Sequence, residues 1–363
     1  MIFQRAALRE FAQTFATVFV ALFAIMMTSQ LIRLLGQAAG GKIVPEGVIA
    51  LMGFGALNTL PTLLSLTLFV AVLLSLSRSY RDSEMAIWFS AGLPLTAWIR
   101  PVMKFALPLV MAIAVLSIFL SPWAQNKSAE YRDRMDQRDD VSRVAPGAFK
   151  ESSQADRVFF VEAIADNEGH DTGRVRNVFI SSMQHGRLGV MAAAEGHSEV
   201  SANGDRFLVL ERGRRYESTP GMADYRVMEF DRYSVRTETK ESRGVEQSPR
   251  HLPVWELVRQ PSPANLGELL WRLGVPLAAL NLALLAIPLS FVNPRAGRTN
   301  NLIFALLTFM AYSNLISISQ AWVAQGKLPF EIGVWAVHAA MFAILLMMFS
   351  HRLAVFSWVR RWR

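Results

Sequence analysis

The sequence predicts an integral membrane α-helical protein, with six transmembrane helices and an inserted β-domain outside the cytoplasm. Three observations predict it. Apolar residues make up 52% of the 363 residues, and they gather in six blocks rather than spreading evenly. Lys and Arg collect at the ends of those blocks, with a strong bias to one side. Between the third and fourth blocks lies a polar stretch, 125–262, whose short apolar runs often alternate in polarity.

The blocks lie near 10–34, 50–77, 96–123, 264–291, 299–322 and 332–355. Each is long enough to cross a hydrocarbon core of roughly 30 Å, which takes about 20 helical residues. The first follows Arg5 and Arg9. It is too long for the core of a signal peptide and has no clean small-residue cleavage site, so it reads as a retained helix. Orientation follows from the basic residues near span ends. Arg5 and Arg9, then Arg78, Arg81, Arg100 and Lys104, then Arg295 and Arg298, then Arg352, Arg360, Arg361 and Arg363 all fall on one side if both termini are cytoplasmic. The other side keeps Arg33, Lys42 and Lys327. The net charge of +8 is therefore a topology signal and not a nucleic-acid surface. Trp98, Trp123, Trp271, Trp322, Trp335 and Trp358 fall near the span ends, where amphipathic rings settle at the headgroups.

The polar stretch reads as β. "RVFFVEAIA", "RVRNVFISSMQ", "RLGVMAAAEGHSEV", "DRFLVLERGRRYES" and "YRVMEFDRYSVRTE" are rich in Val, Phe, Ile and Tyr. "SANGD" at 201–205 supplies the Asn-Gly of a tight hairpin. Many strands with turns between them predict a sandwich or jelly roll. The chain has no cysteine, so this domain has no disulfides and relies on its own core. "QPSPAN" at 260–265 is the hinge into span four, with Ser262 or Pro263 starting the helix. The expected organisation is 1–124 for helices one to three, 125–262 for the β-domain and 263–363 for helices four to six and a C-terminal tail.

Motifs for chemistry are few. "GQAAGGKI" places Gly36, Gly41 and Lys42 as a phosphate loop would, but Ile43 stands where a Ser or Thr should hold Mg²⁺. The stretch also follows a membrane helix, so its glycines read as the end of span one. "HDTG" at 170–173 is a single copy and reads as a turn. The six His lack metal-ligand spacing, and His338 in span six reads as a polar packing residue. No Ser/His/Asp nucleophile pattern is present, so no catalytic residue, metal or cofactor is expected in this chain.

Three features remain. "RSYRDSEMAIWFSAGLP", residues 78–94, lies between two apolar spans. Asp82 or Ser83 can cap a short helix, Glu84 suits its first turn, and Met85, Trp88 and Phe89 form one apolar face. On the residues alone this is either an interfacial helix floating at the headgroups or a coupling helix that docks in a cytoplasmic ATPase. Span five carries Ser313, Ser317 and Gln320 at i, i+4 and i+7, with Asn314 beside them. Such a stripe faces either a polar cavity or a neighbouring helix. Glu268 and Arg272 are four apart on one face, an expected structural ion pair.

"RDSEMAIWFSAGLP" resembles the signature of the lipopolysaccharide-export permeases, the LptF/LptG family. "QLIRLLG", "VMEFDRYS", "ELLWRLGVPL" and "PLSFVNPRAGR" extend the likeness over nearly the whole chain. "QLIRLLG" and "VNPRAGR" resemble the LptF branch. The resemblance implies three spans, a periplasmic β-jellyroll and three more spans in a Gram-negative inner membrane. It implies pairing with an LptG-like permease above an LptB-like ATPase dimer, which would bind the ATP and Mg²⁺. It also implies passage of lipopolysaccharide to an LptC-like jellyroll protein. By the same resemblance Glu84 is the coupling glutamate, with Asp82, Met85, Trp88 and Phe89 around it. Arg33, at the outer end of span one, would face lipid A phosphates, though simple snorkelling to the headgroups also explains it. Gln30 stands where relatives can carry a second basic residue. Spans one and five would line lateral gates, which brings in Ser313, Ser317 and Gln320. Two other functions fit the residues: a permease for lipoproteins or another amphiphile, and a membrane-anchored assembly scaffold.

Overall fold

The computed structural model describes residues 2–40, 43, 45–142, 149–151, 157–164, 175–184, 187–200, 206–221, 224–238, 248–291 and 299–361. The chain forms two compact units. One comprises Met1–Arg132 with Gln247–Arg363, and the other Asp133–Glu246.

The first unit is helical. Among the described residues its helices are α1 (Ile2–Ala39), α2 (Val48–Arg81), α3 (Glu84–Ser90), α4 (Ile99–Val115), α5 (Ser121–Ser142), α6 (Val254–Arg259), α7 (Pro263–Leu289), α8 (Thr299–Ala324) and α9 (Phe330–Arg361). Helix α5 runs on past Arg132, where the unit's first segment ends. Among the described residues six stretches are long and apolar enough to span a membrane: Gln4–Ala39, Pro45–Arg81, Leu95–Arg132, Pro263–Leu289, Leu302–Ala324 and Phe330–Arg352. They coincide with the six predicted blocks and run longer at several ends. Ser262 caps α7, its hydroxyl accepting the Asn265 N–H, and Pro263 opens the helix. Helices α4 and α5 are joined by a π-helical turn, Leu116–Leu120, so span three is one long rod.

Helices α2 and α7 form the centre. Their most apolar stretches are 61% and 72% buried, against 6% for α1 and 22–33% for the others. Close approach around α7 rests on glycine. A Cβ on Gly333 would meet the Val323 side chain at 2.5 Å, and one on Gly267 would meet Ala324 at 2.8 Å. Small residues let helix backbones approach where lipid offers no hydrophobic drive.

The basic clusters that the sequence set on one side do meet at one end of the bundle. Arg78 on α2 pairs with Glu10 on α1 at 2.7 Å, and Lys104 on α4 donates to Gln4 at 3.0 Å. The end of α7 joins them: Ser77 donates to the Ser290 carbonyl at 3.1 Å, and the Arg352 guanidinium of α9 lies 3.9 Å over the Phe291 ring. Arg295 and Arg298 lie outside the described residues, as does the side chain of Trp358. Trp123, Trp322 and Trp335 are exposed as interfacial rings should be, whereas Trp98 is buried in the core.

The second unit is a six-stranded antiparallel sheet in chain order: β1 (Phe149–Glu151), β2 (Arg157–Ile164), β3 (Val175–Gln184), β4 (Arg187–Val200), β5 (Arg206–Ser218) and β6 (Tyr225–Glu238). The expected inserted β-domain is present. Its described strands pair only with sequence neighbours, so the crossover of a Greek-key jelly roll is absent among them. Alternation fixes which face of a strand is apolar, and it says nothing about which strand lies alongside. Val178, Ile180, Met191, Ala193 and Leu210 make the buried face. Asp224 accepts from the Thr219 hydroxyl and N–H and from Arg187, and these hold its carboxyl below the usual range. The predicted "SANGD" and "HDTG" turns lie outside the described residues, although Val200 and Arg206 pair across the first.

The unit boundaries differ from 125 and 262 for physical reasons. The helix of span three continues well past residue 125. Residues after 247 are tied to α7 by Arg272, as described next.

Candidate functional site

A polar cavity of about 440 Å³ lies among α2, the π turn, α5, α7 and α8. Helix α2 contributes Asn58, Thr59 and Thr62, and α8 contributes Ser317 and Gln320. Ser117, Ser121 and Gln125 come from span three. Asn58 Oδ1 accepts from Ser121 Oγ at 2.6 Å and from Gln125 Nε2 at 2.9 Å. At one wall Arg272 Nε meets Glu268 Oε1 at 2.9 Å, with both residues buried. The remaining guanidinium nitrogens donate to the carbonyls of Leu252 (2.8 Å), Pro249 and Arg250 (both 3.1 Å). The ion pair of the sequence analysis is thus a structural clamp that fixes the 249–252 segment to α7. Its charges cancel, and Arg250, which also lines the cavity, adds one further cation to a wall that is otherwise mainly hydroxyl and amide. Such a surface holds water or neutral polar groups inside an apolar bundle.

The structure brings Ser317 and Gln320 to this cavity, but not Ser313 or Arg33. Ser313 instead accepts the Ser317 hydroxyl at its carbonyl, 3.0 Å. Arg33 is exposed on α1 and has no ion pair among the described residues. Gln30 points inward: it is buried, and its Nε2 donates to the Met52 carbonyl at 3.2 Å. Gly55 makes the room, since a Cβ there would sit 1.8 Å from Gln30 Nε2. Gln30 is therefore a helix–helix contact rather than a second surface group beside Arg33. Sequence reading missed the polar residues of spans two and three. Their signal was available in "NTLPT" within an apolar run, and in Ser117, Ser121 and Gln125 at i, i+4 and i+8. His338, read as a packing residue, is buried and shares a 2.6 Å hydrogen bond with the Tyr312 hydroxyl.

The short helix α3 sits at the basic end. Two expectations about it are corrected. Of the two cap candidates, Asp82 caps the C-terminus of α2, and Ser83 takes the N-cap position of α3, with a left-handed φ of 60° and no side-chain cap bond. The residue turns the chain between helices, so α3 starts only at Glu84. The apolar face is also already occupied. Met85 is buried in the bundle's own core, and Trp88 and Phe89 pack against that core. These three anchor α3: Met85 is spent in the core, while Trp88 and Phe89 are half-buried against it. What α3 presents outward is Ile87, 66% exposed, with part of Glu84. Glu84 accepts from Ser79 Oγ at 2.9 Å and lies 3.8 Å from Arg78, which also faces Asp82 at 3.8 Å.

Six membrane-length helices among the described residues, four of which line a polar cavity, and a β-domain inserted after the third fit a multi-pass membrane transporter subunit. Residues 5–351 match the family model described as lipopolysaccharide export system permease LptF/LptG. The chain belongs to that family, and it is an export permease subunit of the inner membrane. It is 24% identical over 351 residues to the lipopolysaccharide export system permease protein LptF of Escherichia coli K12, covering 96% of this chain and 94% of that protein. The LptF protein of Shigella flexneri is similar to the same extent.

Proposed function

We propose that this chain is one membrane half of an ATP-driven exporter that extracts lipopolysaccharide from the inner membrane and passes it to a periplasmic β-strand bridge. An LptG-like subunit is the other half. An LptB-like dimer binds ATP and Mg²⁺ and supplies the hydrolysis. Both termini and α3 lie in the cytoplasm, in accord with the basic end of the bundle.

The observation that carries this reading is the anchoring of α3. A tether between spans needs only a few residues, yet α3 is bolted to the core by Met85, Trp88 and Phe89. A rigid knob transmits displacement, and a floating helix does not. The contact surface for the ATPase is then Glu84 with Ile87, and the other three residues position it. At the β-domain, β6 is an edge among the described strands and exposes Tyr225, Val227 and Met228. It is the edge offered to an LptC-like partner. Strand β2 is not such an edge, since it has β1 on one side and β3 on the other.

The test is co-purification, with ATPase activity and lipid release measured on the same complex. Glu84→Ala and Ile87→Glu each weaken ATPase association or uncouple hydrolysis from release, while Asp82→Ala leaves both near wild type. Met85→Ala acts differently, through a loss of fold stability of about 2–5 kcal/mol. If both Glu84→Ala and Ile87→Glu leave binding and coupling intact, α3 is an interfacial helix. A chain that brings down no ATPase at all is a scaffold.

A further inference from the structure

At the basic end, a second cavity of about 730 Å³ opens between α1 and α2. Two facing stripes line it: Arg9, Gln13 and Thr14 from α1, and Ser75, Arg78 and Arg81 from α2, with Ala6 and Leu74 as apolar wall and Glu10 as the one carboxylate. Thr14 and Ser75 join the two helices by a 3.0 Å hydrogen bond. Three Arg less one Glu leaves the lining at +2. Glu10 is committed to Arg78 at 2.7 Å. Arg9 and Arg81 have no ion pair among the described residues.

We propose that this cleft binds the phosphate headgroup of an anionic phospholipid from the leaflet on the bundle's basic side. Guanidinium forks match phosphate oxygens, and hydroxyl and amide groups between them suit the ester and glycerol oxygens. Basic pockets between membrane helices on the cytoplasmic side are fitted to such headgroups. Leu74, on the membrane-ward side of Arg78 and Arg81, gives the cleft an apolar end towards the acyl region, which a soluble anion would not need. The position argues against the exported lipid as occupant, because the cleft is at the opposite end of α1 from Arg33. The site does not depend on how α3 works.

The experiment is native mass spectrometry of the full-length chain, purified in its complex and equilibrated with phosphatidylglycerol or phosphatidylethanolamine. The expected result is a retained phosphatidylglycerol adduct that falls at least fivefold in Arg9→Gln/Arg81→Gln and returns in Arg9→Lys/Arg81→Lys. Arg5→Gln, which removes a charge from the same end but outside the cleft, leaves the adduct unchanged. Equal retention by the double Gln variant overturns the proposal. So does equal retention of phosphatidylethanolamine, since charge would then not select. Displacement by millimolar glycerol phosphate assigns the cleft to a free phosphate, and loss of a partner subunit with lipid retained assigns it to a protein contact. Either result overturns the lipid assignment.

Discussion

Among the described residues, Arg272 is the one on which the most polar interactions converge. One guanidinium satisfies Glu268 and three backbone carbonyls, all within 3.1 Å. A buried ion pair adds little net stability when complete, but removing one partner strands the other. Arg272→Ala should therefore destabilise the helical unit by about 3–5 kcal/mol. Glu268→Gln, which keeps an acceptor, should cost less. Thermal unfolding in detergent checks the order, and a neutral Arg272→Ala would mean that water replaces the guanidinium. At this scale the sequence was half legible. The spacing of four between Glu268 and Arg272 announced the pair. The carbonyl partners did not announce themselves, because they lie 20–23 residues away and carry no side-chain signature. Met85 shows the same limit. The i, i+3, i+4 pattern of Met85, Trp88 and Phe89 identifies an apolar face, but not whether it meets the chain's own core or another protein.

Helices are where the sequence reading was strongest, because an apolar run of membrane length has few other fates. All six appear, and the glycines that pack them explain why α7 can be central. A Cβ on Gly333 would stand 2.5 Å from Val323 and 3.0 Å from Leu270, neither of which has a long flexible end to move aside. Gly333→Ala should lower thermal stability by about 1–3 kcal/mol through overpacking, against a negligible change for Gly53→Ala, where nothing lies within 4 Å. Equal melting of the two variants would show that α9 shifts freely against α7 and α8. Strands were legible as elements and not as a topology. Strand alternation puts the neighbours Val209 and Leu210 on opposite faces, and both are buried, so each face is covered at that point. The π turn at Leu116–Leu120 left no mark that composition could reveal, since Leu, Ser, Ile and Phe suit an α-helix equally in lipid.

The whole molecule meets three surroundings: lipid, water and its own packed interior. Exposed apolar helices say little about partners here, since lipid is as apolar as a leucine face. Helix α1 can thus be almost wholly exposed along its apolar stretch without implying a second chain. Polar groups are the informative ones, because they are costly against hydrocarbon. Ser317 faces the cavity between α2 and α7, whereas Leu315, two residues away on the same helix, is exposed on the apolar surface. If the cavity is wet, the two positions differ in the one property that thiol chemistry reads. A thiol reacts as its thiolate, which forms in water and not in hydrocarbon. The chain has no native cysteine, so a single introduced thiol gives the entire signal. Ser317→Cys should label with a small charged maleimide at least tenfold faster than Leu315→Cys, in the intact complex in nanodiscs. Bound lipopolysaccharide should slow the first and leave the second alone if the cavity joins the export path. Labelling of Ser317→Cys that lipopolysaccharide does not alter would make the cavity a hydrated structural feature of one subunit. Failure of both thiols to react would mean that the cavity is dry, and that its hydroxyls and amides are satisfied by one another alone.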